Sequence, residues 1–201
     1  NTGGNNKDPS WSPNGGQVAI SSNRLGDYEL FVLDLDSSVV RQLTDNHVSD
    51  EQPAWSPDGG FIAFKSDRTS DVELFVMRPD GTEIRQLTDS PGEDWHPAWS
   101  PDGKSLAFAS NRNGNWDIYI APTRGPRTLL EITGSPLDEI APTWSPDARY
   151  LCYSARDHYG VWNLWIIDRT TQQMTRLGPG LFPSWSPDGE WIAFQRPQGR
   201  G

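Results

Sequence analysis

Apolar residues along this chain come in short runs set off by clusters of Gly, Pro, Asn, Asp and Ser. Residues 17–21, 28–34 and 39–44 are rich in Val, Ile, Leu and Phe. Between them stand Pro13-Asn14-Gly15-Gly16, residues 23–27 and Asp36-Ser37-Ser38. Pro fixes one turn dihedral and Gly supplies the left-handed one, so these clusters read as tight hairpin turns. No segment shows the 3.6-residue period of an amphipathic helix. With a short run at Ser10-Trp11-Ser12, the pattern predicts four antiparallel strands joined by hairpins. The same order returns at residues 61–64, 72–77 and 83–88, and again at 106–109, 116–120 and 127–130.

The strands are paced by one heptapeptide. Pro53-Ala54-Trp55-Ser56-Pro57-Asp58-Gly59 recurs unchanged at residues 97–103, and looser copies begin at Pro9, Pro142 and Pro183. The anchoring residues Trp11, Trp55, Trp99, Trp144 and Trp185 are 44, 44, 45 and 41 residues apart. A period of about 40–45 residues fits one four-stranded propeller blade. The expectation is an all-β chain of 201 residues forming a single propeller domain. Its full blades fall at about 9–44, 53–88, 97–133 and 142–177, with a partial fifth at 183–195. Only eight residues precede Pro9, too few to supply two missing strands. The favoured reading is therefore a piece of a five- or six-bladed propeller; the alternative is a half-blade completed by a neighbouring molecule, since an open sheet edge invites pairing. Blade four drifts most: Ala148 replaces the turn glycine, and the hairpin at 156–162 is longer than its sisters.

Taken together, P-x-W-S-P-D-G, I-A-F-x-S-[DN]-R, [DE]-[IL]-[FY]-V and R-Q-L-T resemble the TolB-type repeat. That WD-like blade also builds the propeller domains of some serine peptidases and tricorn-like proteases. The resemblance covers about residues 9–195 and implies a β-propeller, with a periplasmic or extracellular setting. It says little about activity, because many functions share this scaffold.

Charge narrows the partners. The 27 Asp and Glu against 17 Lys and Arg give a net charge of −10, which disfavours nucleic acid and anionic membranes and favours basic partners. No apolar run approaches the roughly 20 residues that span a bilayer as a helix, so no membrane insertion is expected. The lone Cys152 occupies an Ala position of the sister repeats and reads as a small buried residue.

Candidate chemistry sits in two places. Arg24, Arg68 and Arg112 each stand five residues before an acid, Glu29, Glu73 and Asp117, and are expected to reach back across the hairpin to that carboxylate or to turn carbonyls as a structural clamp. Blade four has Arg156 but Asn163 in the acid's place. The stretches leading into each Pro-x-Trp strand carry paired carboxylates: Asp50 and Glu51, Glu93 and Asp94, Asp138 and Glu139. As propeller loops they would gather at one channel mouth with Trp95 and His96, and Phe182 takes the matching place in the fifth copy. Such a rim suits a basic peptide or a hard cation such as Ca²⁺, although the calcium-loop pattern is absent. No nucleophile elbow, HExxH or phosphate-binding glycine loop is present, and the three histidines are His47, His96 and His158. The sequence therefore points to a non-enzymatic protein- or peptide-binding module, a scaffold or sensor, with no cofactor. The alternatives are the accessory propeller of a peptidase and a subunit paired through the open fifth blade.

Overall fold

The structure, a computed structural model, describes residues 4–125 and 128–196. Asn1 to Gly3 of the expected opening loop and Arg127 of an expected strand lie outside those residues. The chain divides into two compact units, one up to Pro97 and one from Ala98 onward. Strands and turns make up the described residues, with no helix among them.

Blade one is the sheet β1 (Asn6–Trp11), β2 (Gln17–Ser22), β3 (Glu29–Asp34) and β4 (Val40–Gln42). Blade two is β5 (Asp50–Trp55), β6 (Ile62–Ser66), β7 (Glu73–Met77) and β8 (Arg85–Gln86). Blade three is β9 (Asp94–Trp99), β10 (Ser105–Ser110), β11 (Asp117–Pro122) and β12 (Leu130–Glu131). Blade four is β13 (Glu139–Trp144), β14 (Tyr150–Arg156), β15 (Trp162–Asp168) and β16 (Met174–Pro179). A fifth sheet holds only β17 (Leu181–Trp185) and β18 (Ile192–Gln195). Strands follow one another antiparallel in chain order, as the hairpin pattern predicts.

The middle strands of blades two and three are buried on both faces, which is why they read as continuous apolar runs. In the first unit Ala19, Leu30, Val32 and Leu43 of blade one pack on Ile62, Phe64, Phe75 and Met77 of blade two, with Trp55 against them. In the second unit Ile118, Ile120 and Ile132 of blade three pack on Trp144, Leu151, Tyr153 and Ile167 of blade four. The repeated tryptophans vary within this scheme. Trp144 is buried and donates from Nε1 to Ala98 O at 3.0 Å, whereas Trp11 is 62% exposed.

The turn chemistry of the repeat is explicit. Ser56 Oγ donates to Asp58 Oδ1 at 2.6 Å, Gly60 N donates to the same oxygen at 2.9 Å, and Phe61 N donates back to Ser56 Oγ at 2.9 Å. The same three contacts recur at Ser100-Asp102, Ser145-Asp147 and Ser186-Asp188. Gly59 takes φ of +69°, and Ala148 is held at +59° where the sisters have glycine.

One feature was not visible in the sequence. The first strand of each blade begins well before its Pro, and the residue preceding that Pro is left-handed: Asp8 (+53°), Gln52 (+55°), His96 (+56°), Ala141 (+54°) and Phe182 (+51°). The strand pairing shifts register there in blades one, two, four and five. This bulge lets a proline sit inside a strand, where it would otherwise remove a ladder hydrogen bond.

Candidate functional site

The acids singled out from the sequence start strands, not loops. Asp50 opens β5, Asp94 opens β9 and Glu139 opens β13, and their exposures are 0%, 0% and 4%. A repeated backbone latch sets this depth. Asp50 N donates to Tyr28 O (2.7 Å), Asp94 N to Val72 O (2.8 Å) and Glu139 N to Trp116 O (2.7 Å), each on the preceding blade. Each acid is thereby drawn beside the acid that opens the preceding blade's third strand. Glu93 and Asp138, one residue earlier, are only partly buried.

The arginine clamp differs from the expected one. Arg68 does not hold Glu73. Its Nη2 donates to Asp50 Oδ1 and Oδ2 at 2.9 and 2.8 Å, and its Nε donates to Ser66 Oγ at 2.8 Å. Strand pairing places Asp50, Ser66 and Glu73 in one row, and the hairpin carries Arg68 back over that row toward β5. The guanidinium lies 5.3 Å from the Phe64 ring and 4.8 Å from the Phe75 ring. Blade one holds a neutral version, Arg24 Nη2 on Asn6 Oδ1 at 3.0 Å.

Glu29, Glu73 and Asp117 instead face inward and take local donors. Thr88 Oγ1 donates to Glu73 Oε2 at 2.5 Å while accepting from Leu74 N at 2.9 Å, and Ser90 N donates to Glu73 Oε1 at 2.8 Å. Burial, with Asp94 alongside, pushes the Glu73 carboxyl up to about 7. Burial likewise pushes Glu139 up to about 7, with Asp117 beside it. Burial, helped by the charge of Lys65, takes the His96 imidazole down to about 4.

These shifts fix the sign of a pH effect. Between about 4.5 and 7 the folded chain holds protons on Glu73 and Glu139 that the unfolded chain releases, so stability falls as pH rises through that window. His96 acts oppositely: between about 4 and 6.5 the unfolded chain binds the extra proton, so its contribution rises with pH. Urea titrations at pH 5.5 and 7.5 should show a lower midpoint at 7.5. The Glu73→Gln and Glu139→Gln variants should each shrink that difference, because glutamine mimics the protonated acid; an unchanged difference would refute the assignment.

In the first unit the remaining candidates form a mixed surface, less acidic than the sequence pattern implies. Glu51 pairs with Lys7 at 2.5 Å and Lys65 at 3.6 Å. Lys65 Nζ lies 4.6 Å from the Trp95 ring, and Trp95 meets His96 edge-on at 6.0 Å. His96 N donates to Gln52 Oε1 at 2.8 Å. Lys7, Gln52 and Lys65 were missed by reading acids alone. Lys65 had a signal, since it stands where the other blades carry Ser21, Ala109 and Ser154. In the second unit Asp138 Oδ1 accepts from Trp116 N at 3.3 Å. His47 and His158 are exposed. Among the described residues no group of three or more His, Cys, Asp or Glu could hold a metal.

Comparison with known proteins bears on the repeat itself. Residues 1–72 match the family model of the TolB beta propeller domain. Within those residues the repeat is of the TolB type. The structure of TolB from Acinetobacter baumannii superposes with a TM-score of 0.88 at 24% identity, covering 98% of this chain and 50% of that one. A putative TolB from Agrobacterium tumefaciens gives 0.83 at 22%, covering 95% and 69%. A puromycin-hydrolyzing peptidase of Mycobacterium tuberculosis gives 0.72 at 17%, covering 96% of this chain but 38% of the enzyme. No curated protein matches the chain in sequence. The chain thus spans about half the length of the Acinetobacter TolB structure. These likenesses show a TolB-type propeller fold, and the fold is shared by peptidase propeller domains. The repeated blade of this chain accounts for the turns, the latch and the buried acids. It leaves the Trp95 surface and the blade-four hairpin unexplained.

Proposed function

We propose that this chain is a non-catalytic module that binds a protein or peptide, within an exported or envelope protein. The observation that supports it most directly is the surface of Glu51, Lys65, Trp95 and His96. It joins charges of both signs to a partly exposed indole, a combination suited to a polypeptide and poor for a small apolar ligand. Glu93 of the same unit is a further partly buried acid offered to such a partner, and Asp138 is a partly buried acid of the second unit taken by itself. Buried Asp50 and Asp94 hold the framework.

The test is a peptide array probed with the chain and with its Trp95→Ala variant. Selected peptides should bind the variant at least tenfold more weakly, at an unchanged melting temperature, and should remain uncleaved. Equal binding by the variant would remove this surface from the interaction. A second reading, the accessory propeller of a peptidase, is favoured by the likeness to a peptidase in which the matching part is 38% of the enzyme. A catalytic domain continuous with this chain in the native protein, seen by intact mass and peptide mapping, would support it.

A further inference from the structure

Blade four lacks the arginine that its sisters place at one position. In blade two, Asp50 and Glu73 both pair with Ser66, and Arg68 follows two residues later. In blade four, Glu139 and Asn163 both pair with Ala155, so Arg68 corresponds to Asp157 and not, as the sequence spacing suggested, to Arg156. The rest of the arginine's surroundings is kept. Tyr153 and Trp165 stand in the places of Phe64 and Phe75, and Glu139 in the place of Asp50. Blade three confirms the pattern: Arg112 lies 5.7 Å from the Phe108 ring and 4.5 Å from the Tyr119 ring, with Nε on Ser110 Oγ at 2.8 Å.

Asp157 does not refill the space. Its Oδ1 accepts from Tyr159 N (3.0 Å) and Val161 N (2.9 Å), and its Oδ2 accepts from Asn163 Nδ2 (3.2 Å), so the side chain is spent on its own long hairpin. What remains is an open cleft of about 590 Å³ whose wall includes Glu139, Tyr153, Trp165 and Asp157. Glu139 is 4% exposed; Oε1 accepts from Ser135 Oγ, and buried Oε2 faces the Asp117 carboxyl with no basic side chain on it. Arg176 also lines the cleft, but its guanidinium is taken up by Asn163 Oδ1 at 2.5 and 3.1 Å. A buried acid with no basic partner, lining the same cleft as two aromatic rings, is the half of a clamp that a guanidinium completes.

We propose that the blade-four cleft receives an arginine side chain from a partner polypeptide, its guanidinium pairing with Glu139 against Tyr153 and Trp165. Arg68 makes the same contacts with Asp50, Phe64 and Phe75 inside blade two. The exposed Tyr159, tilted against His158 with ring centroids 3.9 Å apart, stands at the rim where the rest of the peptide would lie. The idea depends on the binding-module reading for its partner, and not on the Trp95 surface.

The test titrates acetyl-Gly-Arg-Gly-amide into the chain, following tryptophan fluorescence or heat. Saturable binding is expected, at least tenfold tighter than for the lysine peptide and for the citrulline peptide, which keeps the shape without the charge. Glu139→Gln should weaken it at least tenfold. Asp157→Arg, which restores the sister blades' own arginine, should abolish it. Trp95→Ala should leave it unchanged, so failure of the two proposals can be told apart. Equal binding of the arginine and citrulline peptides, no binding at all, or full binding by Asp157→Arg would overturn the proposal. Guanidinium chloride or free arginine binding as tightly as the peptide would overturn the polypeptide source.

Discussion

The Arg68→Ala variant is expected to unfold with a free energy about 3 kcal/mol lower than the parent, because it strands the Asp50 carboxylate in the fold without its partner. Asp50 is fully buried, and two of its hydrogen bonds come from the lost guanidinium. Breaking a buried pair leaves an uncompensated charge, which is why the effect exceeds that of an ordinary surface ion pair. The lower end of the usual range applies, since the Arg68 side chain keeps 24% of its exposure. Blade one shows how to separate charge from packing. There Asn6 serves Arg24 as a neutral acceptor. The double variant Arg68→Met with Asp50→Asn should therefore be clearly more stable than Arg68→Ala. The measurement is the urea midpoint at constant slope. A loss under about 1 kcal/mol for Arg68→Ala would show that Asp50 is not held by this clamp.

Phe64→Ala is expected to lower stability by about 3–5 kcal/mol, the cost of emptying a close-packed aromatic site. Phe64 is fully buried and stacks on Phe75 with centroids 5.9 Å apart. It also lies under the Arg68 guanidinium, so the two losses should not add. A double-mutant cycle between Phe64 and Arg68 should give a coupling of about 0.5 kcal/mol or more. Strict additivity would mean that the ring supports the core alone and takes no part in the clamp.

The fold was legible because its signals are local. Ser56-Pro57-Asp58-Gly59 specifies its own turn through contacts within five residues, and the repetition multiplies that signal. The central strands were legible because Ile62-Ala63-Phe64 and Leu106-Ala107-Phe108 are buried on both faces. The site was less so. Asp50 and Glu51 are adjacent carboxylates, yet one is sealed under an arginine and the other sits between two lysines. Which fate an acid meets depends on alternation in a strand and on a partner 14 to 44 residues away, as with Lys65 and Lys7. Spacing within a hairpin misassigned Arg68 for the same reason: Glu73 is nearer in sequence, but Asp50 lies under the guanidinium. The strand start at Asp50 was missed because Pro53 argues against a strand, and only the left-handed Gln52 resolves the conflict.

That left-handed position has a wider consequence. Its geometry is written into the main chain by the bulge and the following proline, and its occupant varies: Asp8, Gln52, His96, Ala141 and Phe182 offer an acid, an amide, an imidazole, a methyl and a phenyl ring. Folding and chemical vocabulary are thus uncoupled at five equivalent points of one repeating frame. A chain built this way can change what it presents without redesigning how it stands.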